Sequence, residues 1–451
     1  MKIIVCAKII NGEINPFDAC ALETALRLSS DVTVISMAPL SARPELERLT
    51  RLGAKVISLT DNVFAGSDTL ATSYILSCAI NKLDYDLILC GRQTTDGDTA
   101  QVGPCLATML GIHPITNVLE ISSQADNEIV CRTRMGEESS AFPSLLTIER
   151  ICDLRFPSIF SKPGTVEVWD SLKIGADISR CGQSGSPTRV LKSFESDKGT
   201  RKCKFITMDE LDGLINTLVN QKKQDISVVE SQVKLKNVWA VGTEIANEAC
   251  AIAEDVTFID ETDPRKIAEM AHLKKPEVIL WNANLWGRKN APIVAALLQT
   301  GLCADCTSLA TDGKKLYMYR PAFGGNIIAK IECKTTPVMA TLRTTSDFSD
   351  IIVSAGKGAS DSFAKVKAFA DKYNAELCAS RGLVDTGKVP YPMQVGLTGK
   401  TVAPKIYVAI GISGAVQHTC GIENADVVIA VNPDKDARIF EYADYGIIAE
   451  F

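Results

Sequence analysis

The chain has 451 residues, 46% of them hydrophobic and 23% charged, with a formal net charge of −6. This composition is typical of a globular protein of several domains, and the acidic balance excludes the basic surface that nucleic-acid binding requires. No apolar run reaches the roughly 20 residues of a membrane span, and the short apolar start lacks a cleavage site. Fifteen scattered cysteines predict reduced thiols and a cytoplasmic location.

In the first half of the chain, apolar runs alternate with stretches of helical period. The predicted strands are residues 3–7, 32–37, 56–59 and 87–90, and the predicted helices are residues 16–28, 44–52 and 69–81. This alternation predicts a mostly parallel sheet with helices on both faces. The tract 129–187 is richer in β-branched residues and turns, so we expect it to form an antiparallel edge of that sheet and an excursion from it.

A polar stretch divides the chain, and within it only residues 209–220 have the pattern of a helix, with Thr207 as the cap. The strand–helix alternation then resumes, with predicted strands at 238–241, 256–259, 278–281, 351–354, 375–379, 407–410 and 427–431. The whole pattern predicts an α/β fold of three doubly wound, Rossmann-like units. The expected segments are residues 1–195, an arm helix and linker at 196–236, residues 237–345 and residues 346–451.

Two glycine turns lie close together near the end of the chain. They occupy residues 394–400 and 411–418, and an apolar run directly precedes the second. A strand that enters a glycine turn and then a helix exposes backbone N–H groups that bind phosphate. Each turn carries a hydroxyl, Thr398 in the first and Ser413 in the second, and the second turn ends at His418. The pattern predicts a site for a dinucleotide with a polar ring.

The motifs of the C-terminal region resemble the FAD domain of the α subunit of electron transfer flavoproteins. They are Val395-Gly-Leu-Thr-Gly-Lys400, Gly411-Ile-Ser-Gly-Ala-Val-Gln-His418, Val431-Asn-Pro-Asp434 and Ala443-Asp-Tyr-Gly446. Other motifs resemble the β subunit and the first domain of the α subunit, namely Asn15-Pro-Phe-Asp18, the loop from Cys90 to Pro104, Gly185-Ser-Pro-Thr-Arg-Val190, Leu302-Cys-Ala-Asp-Cys-Thr307 and Arg320-Pro-Ala-Phe-Gly-Gly-Asn326. The chain therefore resembles a β subunit and an α subunit fused in one shortened chain.

This resemblance assigns a fold to each segment. Residues 1–195 would be a nucleotide-binding domain like that of the β subunit, of the adenine-nucleotide-hydrolase type. Residues 237–345 would be the similar first domain of the α subunit, shortened at its start. Residues 346–451 would be the FAD-binding domain, of the DHS-like NAD/FAD-binding type.

The resemblance implies an FAD site in the last segment. Its residues would be Lys357, Ser380, Arg381, Val395, Gly396, Leu397, Thr398, Ser413, Gly414, Ala415, Val416, Gln417, His418, Asn432, Asp444 and Tyr445. Thr398 is implied near the flavin N5, His418 at the O2 edge and Arg381 beside the ring. Leu397 stands where the family has Gln, and Lys357 where it has Arg, so we expect an altered potential or looser binding.

A second nucleotide site is implied in the first segment, where the family binds AMP or, in its electron-bifurcating members, a second FAD. Its residues would be Ala7, Asn15, Pro16, Phe17, Asp18, Arg92, Gln93, Asp96, Gly97, Asp98, Thr99, Gln101, Val102 and Gly103. Thr99 is the predicted cap of a helix that runs to Leu110 and ends at Gly111. Residues 11–14 take the place of the hairpin that helps to close this site in the family.

The resemblance also implies protein partners. Ile159, in Arg155-Phe-Pro-Ser-Ile159, is the predicted docking anchor for a flavin dehydrogenase, of the acyl-CoA dehydrogenase type or another, and a second protein would accept the electrons. The β-like and α-like parts would pair within the chain as a pseudo-dimer, and a further homo-oligomer stays open. Cys303 and Cys306 have the spacing of metal ligands, but without a second pair beside them we predict no metal.

Three functions stay open from the sequence. The first is an electron carrier with one FAD and no catalytic residues of its own. The second is an NADH-dependent, electron-bifurcating protein with two FAD. The third is a non-redox scaffold or sensor that binds adenine nucleotides and descends from the same family.

Overall fold

A computed structural model describes residues 1–125, 127–195, 201–220, 233–322, 327–343, 350–396, 399–400, 402, 404–423 and 425–451. The chain forms two compact units. The first comprises Met1–Phe194, Val228–Phe323 and Ile327–Arg343, and the second comprises Glu195–Ser227, Gly324–Asn326 and Thr344–Phe451. Within the described ranges, no helix is both long enough and apolar enough to cross a membrane.

Strands and helices alternate along the chain. The strands are β1 Lys2–Cys6, β2 Ile9–Ile10, β3 Glu13–Ile14, β4 Asp31–Met37, β5 Lys55–Leu59, β6 Leu87–Gly91, β7 His113–Gln124, β8 Glu128–Thr133, β9 Gly136–Ala141, β10 Ser144–Ile148, β11 Val166–Trp169, β12 Thr188–Glu195, β13 Lys204–Phe205, β14 Leu235–Val241, β15 Ala253–Ile259, β16 Val278–Asn282, β17 Leu302–Cys306, β18 Ser308–Thr311, β19 Leu316–Ala322, β20 Ile327–Cys333, β21 Val338–Leu342, β22 Ile351–Ala355, β23 Glu376–Ala379, β24 Ile406–Ile410, β25 Val427–Val431 and β26 Tyr445–Ile447.

The helices lie between these strands. They are α1 Pro16–Leu28, α2 Arg43–Thr50, α3 Thr69–Ile80, α4 Val102–Leu110, α5 Ser171–Ile174, α6 Gly182–Gly185, α7 Met208–Asn220, α8 Ala246–Ile252, α9 Pro264–Lys274, α10 Leu285–Leu298, α11 Phe363–Lys372, α12 Arg381–Val384 and α13 Val416–Thr419. Short 3-10 helices are Leu40–Ala42, Asn62–Phe64, Ile178–Arg180, Lys357–Ala359, Tyr391–Met393 and Arg438–Tyr442. Local chemistry explains the ends: Pro16 occupies the first turn of α1, where its missing N–H costs nothing, and the Asp68 side chain caps α3 by accepting from the nitrogens of Leu70 and Ala71.

The first unit is built on a large sheet with strand order β11-β5-β4-β1-β6-β10-β7-β8-β9. Its strands from β11 to β7 pair in parallel, whereas β8 and β9 add an antiparallel edge. The predicted parallel sheet with an antiparallel edge is therefore confirmed. The central strands are buried on both faces by helices, which explains their continuous apolar runs.

A second sheet of the first unit has the order β15-β14-β16-β21-β17, all parallel, and a small antiparallel sheet joins β12, β20, β19 and β18. Helices α4 and α10 bring the two large sheets together. The thiol of Cys105 donates to the carbonyl of Pro292 over 3.3 Å, and Gln101 Nε2 donates to the carbonyl of Leu302 over 3.1 Å. These contacts are of the kind that pairing of two halves within one chain requires.

The second unit has a parallel sheet of order β13-β26-β25-β24-β22-β23. Helix α7, predicted as an arm on a tether, buries Leu211, Ile215 and Leu218 in the core of this unit. Its Asp212 accepts from Lys372 Nζ over 2.6 Å and from the Tyr373 hydroxyl. The sheets of the two units together confirm the predicted α/β class of doubly wound units.

Two local expectations at the predicted N-terminal site were wrong. Strands β2 and β3 do form a hairpin, because Asn11 and Gly12 adopt φ of 53° and 85°, the left-handed values that a tight two-residue turn needs. Helix α4 begins at Val102 rather than at Thr99, and its N-cap Gln101 makes no side-chain cap bond. The Gln101 side chain is instead used in the contact to Leu302 described above. The helix does end at Gly111, in the left-handed conformation.

Candidate functional site

The strongest candidate site lies at the carboxyl edge of the sheet in the second unit. Parallel strands β22, β23, β24 and β25 all end there. The residues that follow them are Gly356, Ser380, Gly411 and Asn432. In open parallel sheets, ligands bind at this edge, beyond the strand ends.

At this edge the turn that begins at Gly411 meets another turn, at residues 356–358, backbone to backbone. A Cβ at Gly356 would overlap the carbonyl oxygen of Gly411, and a Cβ at Gly411, whose φ is +65°, would lie 2.5 Å from the nitrogen of Ala359. The nitrogen of Gly358 donates to the Gly411 carbonyl over 3.1 Å. Only glycine permits this approach, so these residues shape a shallow backbone surface of the kind that dinucleotide phosphates contact.

His418 lies beside this surface, on the single turn of α13. It is 5% exposed, and its Nε2 lies 3.0 Å from the hydroxyl of Tyr407. Burial lowers the pKa of His418 to about 4, although the backbone of Val395 acts in the opposite sense, so the imidazole is neutral at pH 7. Its Nδ1 is buried and makes no hydrogen bond within the described part of the chain.

Gly396 brings the first glycine turn against this helix turn. Its φ is +130°, and a Cβ there would overlap the carbonyl oxygen of Gln417 and lie 3.1 Å from Cα of His418. Val395 is buried, whereas Ala415, Val416 and Gln417 are exposed, as is Ser413. Leu397 and Thr398, the predicted N5-side pair, lie outside the described residues.

The predicted cationic residues also gather at this edge. A Cβ at Gly382 would lie 3.5 Å from Lys357 Cβ and 3.9 Å from Ser380 Oγ, so these side chains are neighbours. Arg381 is half-buried and pairs with Asp385 over 3.3 Å. Asn432 is buried, and its Nδ2 donates to the carbonyl of Ile412 over 2.9 Å.

Asp444 and Tyr445 are not brought together with the rest of the predicted set. Asp444 precedes β26, and its carboxylate accepts from the nitrogen of Val428 over 2.8 Å, so it lies near the amino edge of the sheet. The Arg201 guanidinium also donates to this carboxylate. Both contacts support the packing of β26, and the predicted contact of Asp444 with the cofactor stays a prediction.

The predicted N-terminal site residues also converge, at the carboxyl ends of β1 and β6. Asn15 is fully buried and clamps the loop after β6, donating to the carbonyl of Gln93 over 3.0 Å and accepting from the nitrogen of Thr95 over 3.3 Å. Asp96 pairs with Lys8 over 2.6 Å. Gln93 Nε2 donates to Asp98 over 3.0 Å. The loop is thus shaped by its own side chains.

The start of helix α1 faces this loop. Ala7 and Asp18 are buried there, and Asp18 accepts from the nitrogens of Lys8 and Gly91, each over 2.8 Å. Burial raises the pKa of Asp18 to about 6 against these bonds. The Arg92 guanidinium lies 5.5 Å from the ring centre of Phe17. Across the loop, Pro16, Gly97, Thr99 and Val102 are part-exposed and Gly103 is buried.

A largely buried cluster of charges lies between the two large sheets of the first unit, and the sequence pattern did not predict it. We call it the arginine cluster; its members are Arg92, Arg134, Glu149, Arg288, Asp305, Arg320 and Arg343. Five guanidinium groups face two carboxylates. Although burial alone would raise the pKa of Asp305, Arg288 and Arg343 hold it well below its usual range. Arg320 is 5% exposed, and its Nε and Nη2 have no hydrogen-bond partner within the described ranges.

No motif or spacing in the sequence indicated that the residues of the arginine cluster meet. Arg320 belongs to a motif noted in the sequence, but the other members of the cluster come from several distant stretches of chain. Charged residues are costly to bury singly, so an excess of positive charge in the interior calls for an anion. The cluster includes Arg92, which is also in the nucleotide loop, and therefore lies next to the predicted N-terminal site.

The predicted docking residue Ile159 is strongly exposed, at 86%, and its neighbours Phe156 and Phe160 are more so, at 94% and 87%. Arg155 anchors this segment to Glu23, with Nε at 2.9 Å. The sequence motif pointed only to Ile159, although the two aromatic side chains beside it are at least as exposed. Exposed apolar side chains grouped in this way are typical of contact surfaces.

The cysteines show no sign of a metal centre. The described residues include no group of three or more His, Cys, Asp or Glu that could hold a metal ion, and no disulfide. Cys303 and Cys306 are both buried, and the Cys306 thiol donates to the carbonyl of Cys303 over 3.5 Å.

Parallel sheets with glycine turns at their carboxyl edges define a nucleotide-binding α/β protein. The profile described as "Electron transfer flavoprotein domain" matches residues 3–152 and 252–365. The profile described as "Electron transfer flavoprotein FAD-binding domain" matches residues 347–423. The chain therefore belongs to the electron transfer flavoprotein family, and it carries both domain types in the order expected of fused β and α subunits.

Similar curated proteins agree with this assignment. The electron transfer flavoprotein subunit alpha of Thermoanaerobacterium thermosaccharolyticum is 40% identical over 240 residues, which cover 43% of this chain and 73% of that protein. Protein FixB of Azorhizobium caulinodans is 32% identical over 263 residues, 46% of this chain and 71% of that protein. The acryloyl-CoA reductase electron transfer subunit beta of Anaerotignum propionicum is 36% identical over 252 residues, 39% and 69% respectively. Together they support an electron-transfer role, and the matched FAD-binding domain supports FAD as cofactor.

Proposed function

We propose that this protein carries electrons on an FAD bound in its second unit, taking them from a flavin dehydrogenase and passing them to a second redox protein. The observation that supports this most is the buried Nδ1 of His418, which lacks a hydrogen-bond partner within the described residues beside the glycine turns. Buried polar atoms are almost always paired. A bound ring with a hydrogen-bonding edge would satisfy this atom.

The residues present fit FAD. When bound, FAD supplies a ring that accepts and releases electrons. The turn that follows Gly411, from Ile412 to Gly414, would offer backbone N–H groups to the phosphates, and Lys357 and Arg381 bring positive charge to the same edge. His418 is neutral, so it would act on the ring as a hydrogen-bond donor rather than as a cation.

The direct test is to count nucleotides released from the purified protein and to record its visible spectrum. One FAD per chain, reduced by a flavin dehydrogenase but not by NADH, is the expected result. His418→Gln should weaken the binding of reduced FAD more than that of oxidised FAD, by about 10-fold, since a hydrogen bond to a charged group contributes about 1.5–3 kcal/mol. The matched control is His272→Gln, exposed on α9 of the other unit, which should change neither affinity.

A second candidate function is NADH-dependent electron bifurcation with a second FAD in the first unit. The arginine cluster favours an anionic ligand there, since Arg320 has no hydrogen-bond partner for its Nε and Nη2 within the described residues. AMP would also supply an anionic group. Two FAD per chain with bleaching by NADH would favour bifurcation, whereas one FAD with one AMP would favour the simple carrier.

Lys357 and Leu397 differ from the Arg and Gln of the family, so a non-redox scaffold or sensor is a third candidate. Evidence for it would contradict both redox candidates. A colourless protein that neither takes up FAD nor is reduced after incubation with FAD would establish that outcome. If such a protein retained an adenine nucleotide, the N-terminal site would be its functional site.

For the partner, we propose that docking uses the exposed apolar segment around Ile159. Ile159→Asp should slow reduction by the dehydrogenase at least about 10-fold, because hot-spot contacts contribute about 2 kcal/mol or more. FAD content should stay the same. Leu40→Asp is a matched control, since Leu40 is also exposed, at 68%, but lies elsewhere in the first unit.

A further inference from the structure

Tyr407, on β24, and His418, on α13, form a buried polar pair beside an apolar cluster of the second unit. Tyr407 is fully buried on β24 and His418 is 5% exposed. The phenol oxygen lies 3.0 Å from Nε2, within the range of a good hydrogen bond. The hydroxyl of a buried tyrosine usually has a hydrogen-bond partner, and here His418 is that partner.

The direction of this bond follows from what surrounds it. Burial raises the pKa of Tyr407 well above its usual range, so the phenol keeps its proton. If the phenol donates to Nε2, only Nδ1 is left without a partner within the described residues. An Nε2–H that donated to the phenol oxygen would leave both the buried phenol proton and Nδ1 unpaired. The phenol proton therefore donates to the imidazole.

A neutral imidazole carries one N–H, so accepting at Nε2 places the proton on Nδ1. His418 is neutral because burial lowers its pKa to about 4. Nδ1 has no hydrogen-bond partner within the described residues, so its N–H is available to a ring bound beside it.

We propose that Tyr407 is a positioning residue that holds His418 in the Nδ1–H tautomer, so that the imidazole offers the flavin a fixed N–H donor. The part that concerns flavin rests on the proposed function; the tautomer is a property of the chain. Without the Tyr407 hydroxyl, the ring can carry its proton on Nε2 and turn a lone pair outward. A lone pair opposes the negative charge that reduction places on the flavin ring, whereas an N–H stabilises it.

The tautomer can be measured by ¹⁵N NMR on protein with labelled histidine. The chain has three histidines, and His113 and His272 are both exposed, so His418→Gln assigns the buried one by its loss. We expect a protonated Nδ1 and a bare Nε2, unchanged between pH 5.5 and 8, with or without FAD. An Nε2–H tautomer in the unaltered protein would overturn the proposal.

Tyr407→Phe removes only the hydroxyl and keeps the ring that fills the core. We expect it to move the proton of His418 to Nε2, fully or in part. Tyr373→Phe is the matched control, since that hydroxyl contacts Asp212 on the surface of the same unit, and it should leave the His418 signals in place. The same tautomer in Tyr407→Phe as in the unaltered protein would contradict the positioning role.

If Tyr407→Phe fails to fold, the His418 tautomer of the unaltered protein still decides the proposal, and an Nε2–H tautomer there contradicts it. The second readout is the affinity for oxidised and reduced FAD. Tyr407→Phe should lower the affinity for reduced FAD about 10-fold and the affinity for oxidised FAD by less than about 2-fold. Equal loss of both would mean a merely structural role. If the unaltered protein binds no FAD, the proposed function fails while the NMR result still decides the tautomer.

Discussion

Gly414 and Ile439 touch backbone to backbone beside the candidate flavin site. A Cβ on Gly414 would overlap the backbone nitrogen of Ile439, and that nitrogen donates to the carbonyl of Ser413 over 3.2 Å. Gly414 has φ of +86°, a value that only glycine adopts without strain. The second glycine turn is therefore fixed by the 3-10 helix Arg438–Tyr442, which packs directly on it.

Gly414→Ala should destabilise the second unit by roughly 2–5 kcal/mol, since overpacking costs about 1–3 kcal/mol and a left-handed non-glycine residue about 1–2 kcal/mol. Gly387→Ala is the matched control: its φ is +76° with nothing within 4 Å of the new Cβ, so only the strain remains. Urea unfolding of both variants checks this. Equal unfolding midpoints for Gly414→Ala and Gly387→Ala would show that the contact with Ile439 does not affect stability.

The ion pairs of Asp305 should be among the most sensitive contacts of the first unit. Asp305 is 5% exposed and accepts from Arg288 over 2.6 Å and from Arg343 Nε over 2.7 Å. Asp305→Asn leaves two guanidinium groups without their counter-charge, which costs about 3–5 kcal/mol in buried pairs. Thermal unfolding should show this loss.

The control for Asp305 is Asp361→Asn, whose carboxylate is fully exposed opposite Lys388. Exposed pairs contribute little, so this variant should unfold like the unaltered protein. If bound FAD or AMP occupies the arginine cluster, the Asp305→Asn loss should be larger without that ligand. Comparable stability of the two variants would contradict the role assigned to Asp305.

Stability of the second unit should fall on mild acidification because of His418. Its pKa is about 4 in the fold, below the ordinary 6.5, so between these values the unfolded chain binds a proton that the folded chain does not. The stabilisation is complete above pH 6.5 and is lost as pH falls towards 4, by about 3 kcal/mol in all. His418→Gln should flatten the unfolding free energy over this range, and an unchanged slope would refute the burial argument.

Asp18 should act in the opposite direction in the first unit. Its pKa is raised from 3.8 to about 6, so the folded chain binds a proton that the unfolded chain has released. Its stabilisation is present below pH 3.8 and is lost as pH rises through 6, by about 3 kcal/mol. Asp18→Asn should remove this fall, as followed by urea unfolding from pH 4 to 7; a fall of the same size in the variant would contradict it.

The elements were predictable where local pattern decides them. Helix α1 occupies the predicted residues 16–28, because Pro16 opens it and its apolar period is regular. Strand β25 likewise spans the predicted 427–431. The hairpin at residues 9–14 and the start of α4 were missed, since a two-residue strand has no period and Gln101 gives no cap signal.

The residues of the two candidate sites were predictable in part. Glycine turns directly after apolar runs identified the turn from Gly411 to His418 and the loop of Gln93 to Asp98, because the ends of parallel strands meet at one edge. Asp444 shows the limit of this argument. It lies before its strand rather than after it, and sequence order alone does not tell at which edge a neighbouring strand begins.

By itself, the sequence determined the class of fold, the family and the position of the glycine turns, since all three depend on short runs of neighbouring residues. Only the tertiary structure decided which charges and hydroxyls meet. Arg320 faces Asp305 from another strand, and Tyr407, an ordinary aromatic residue within an apolar strand, reaches His418 eleven residues further on. Such contacts arise from the packing of whole helices and strands, and no short run of neighbouring residues indicates them.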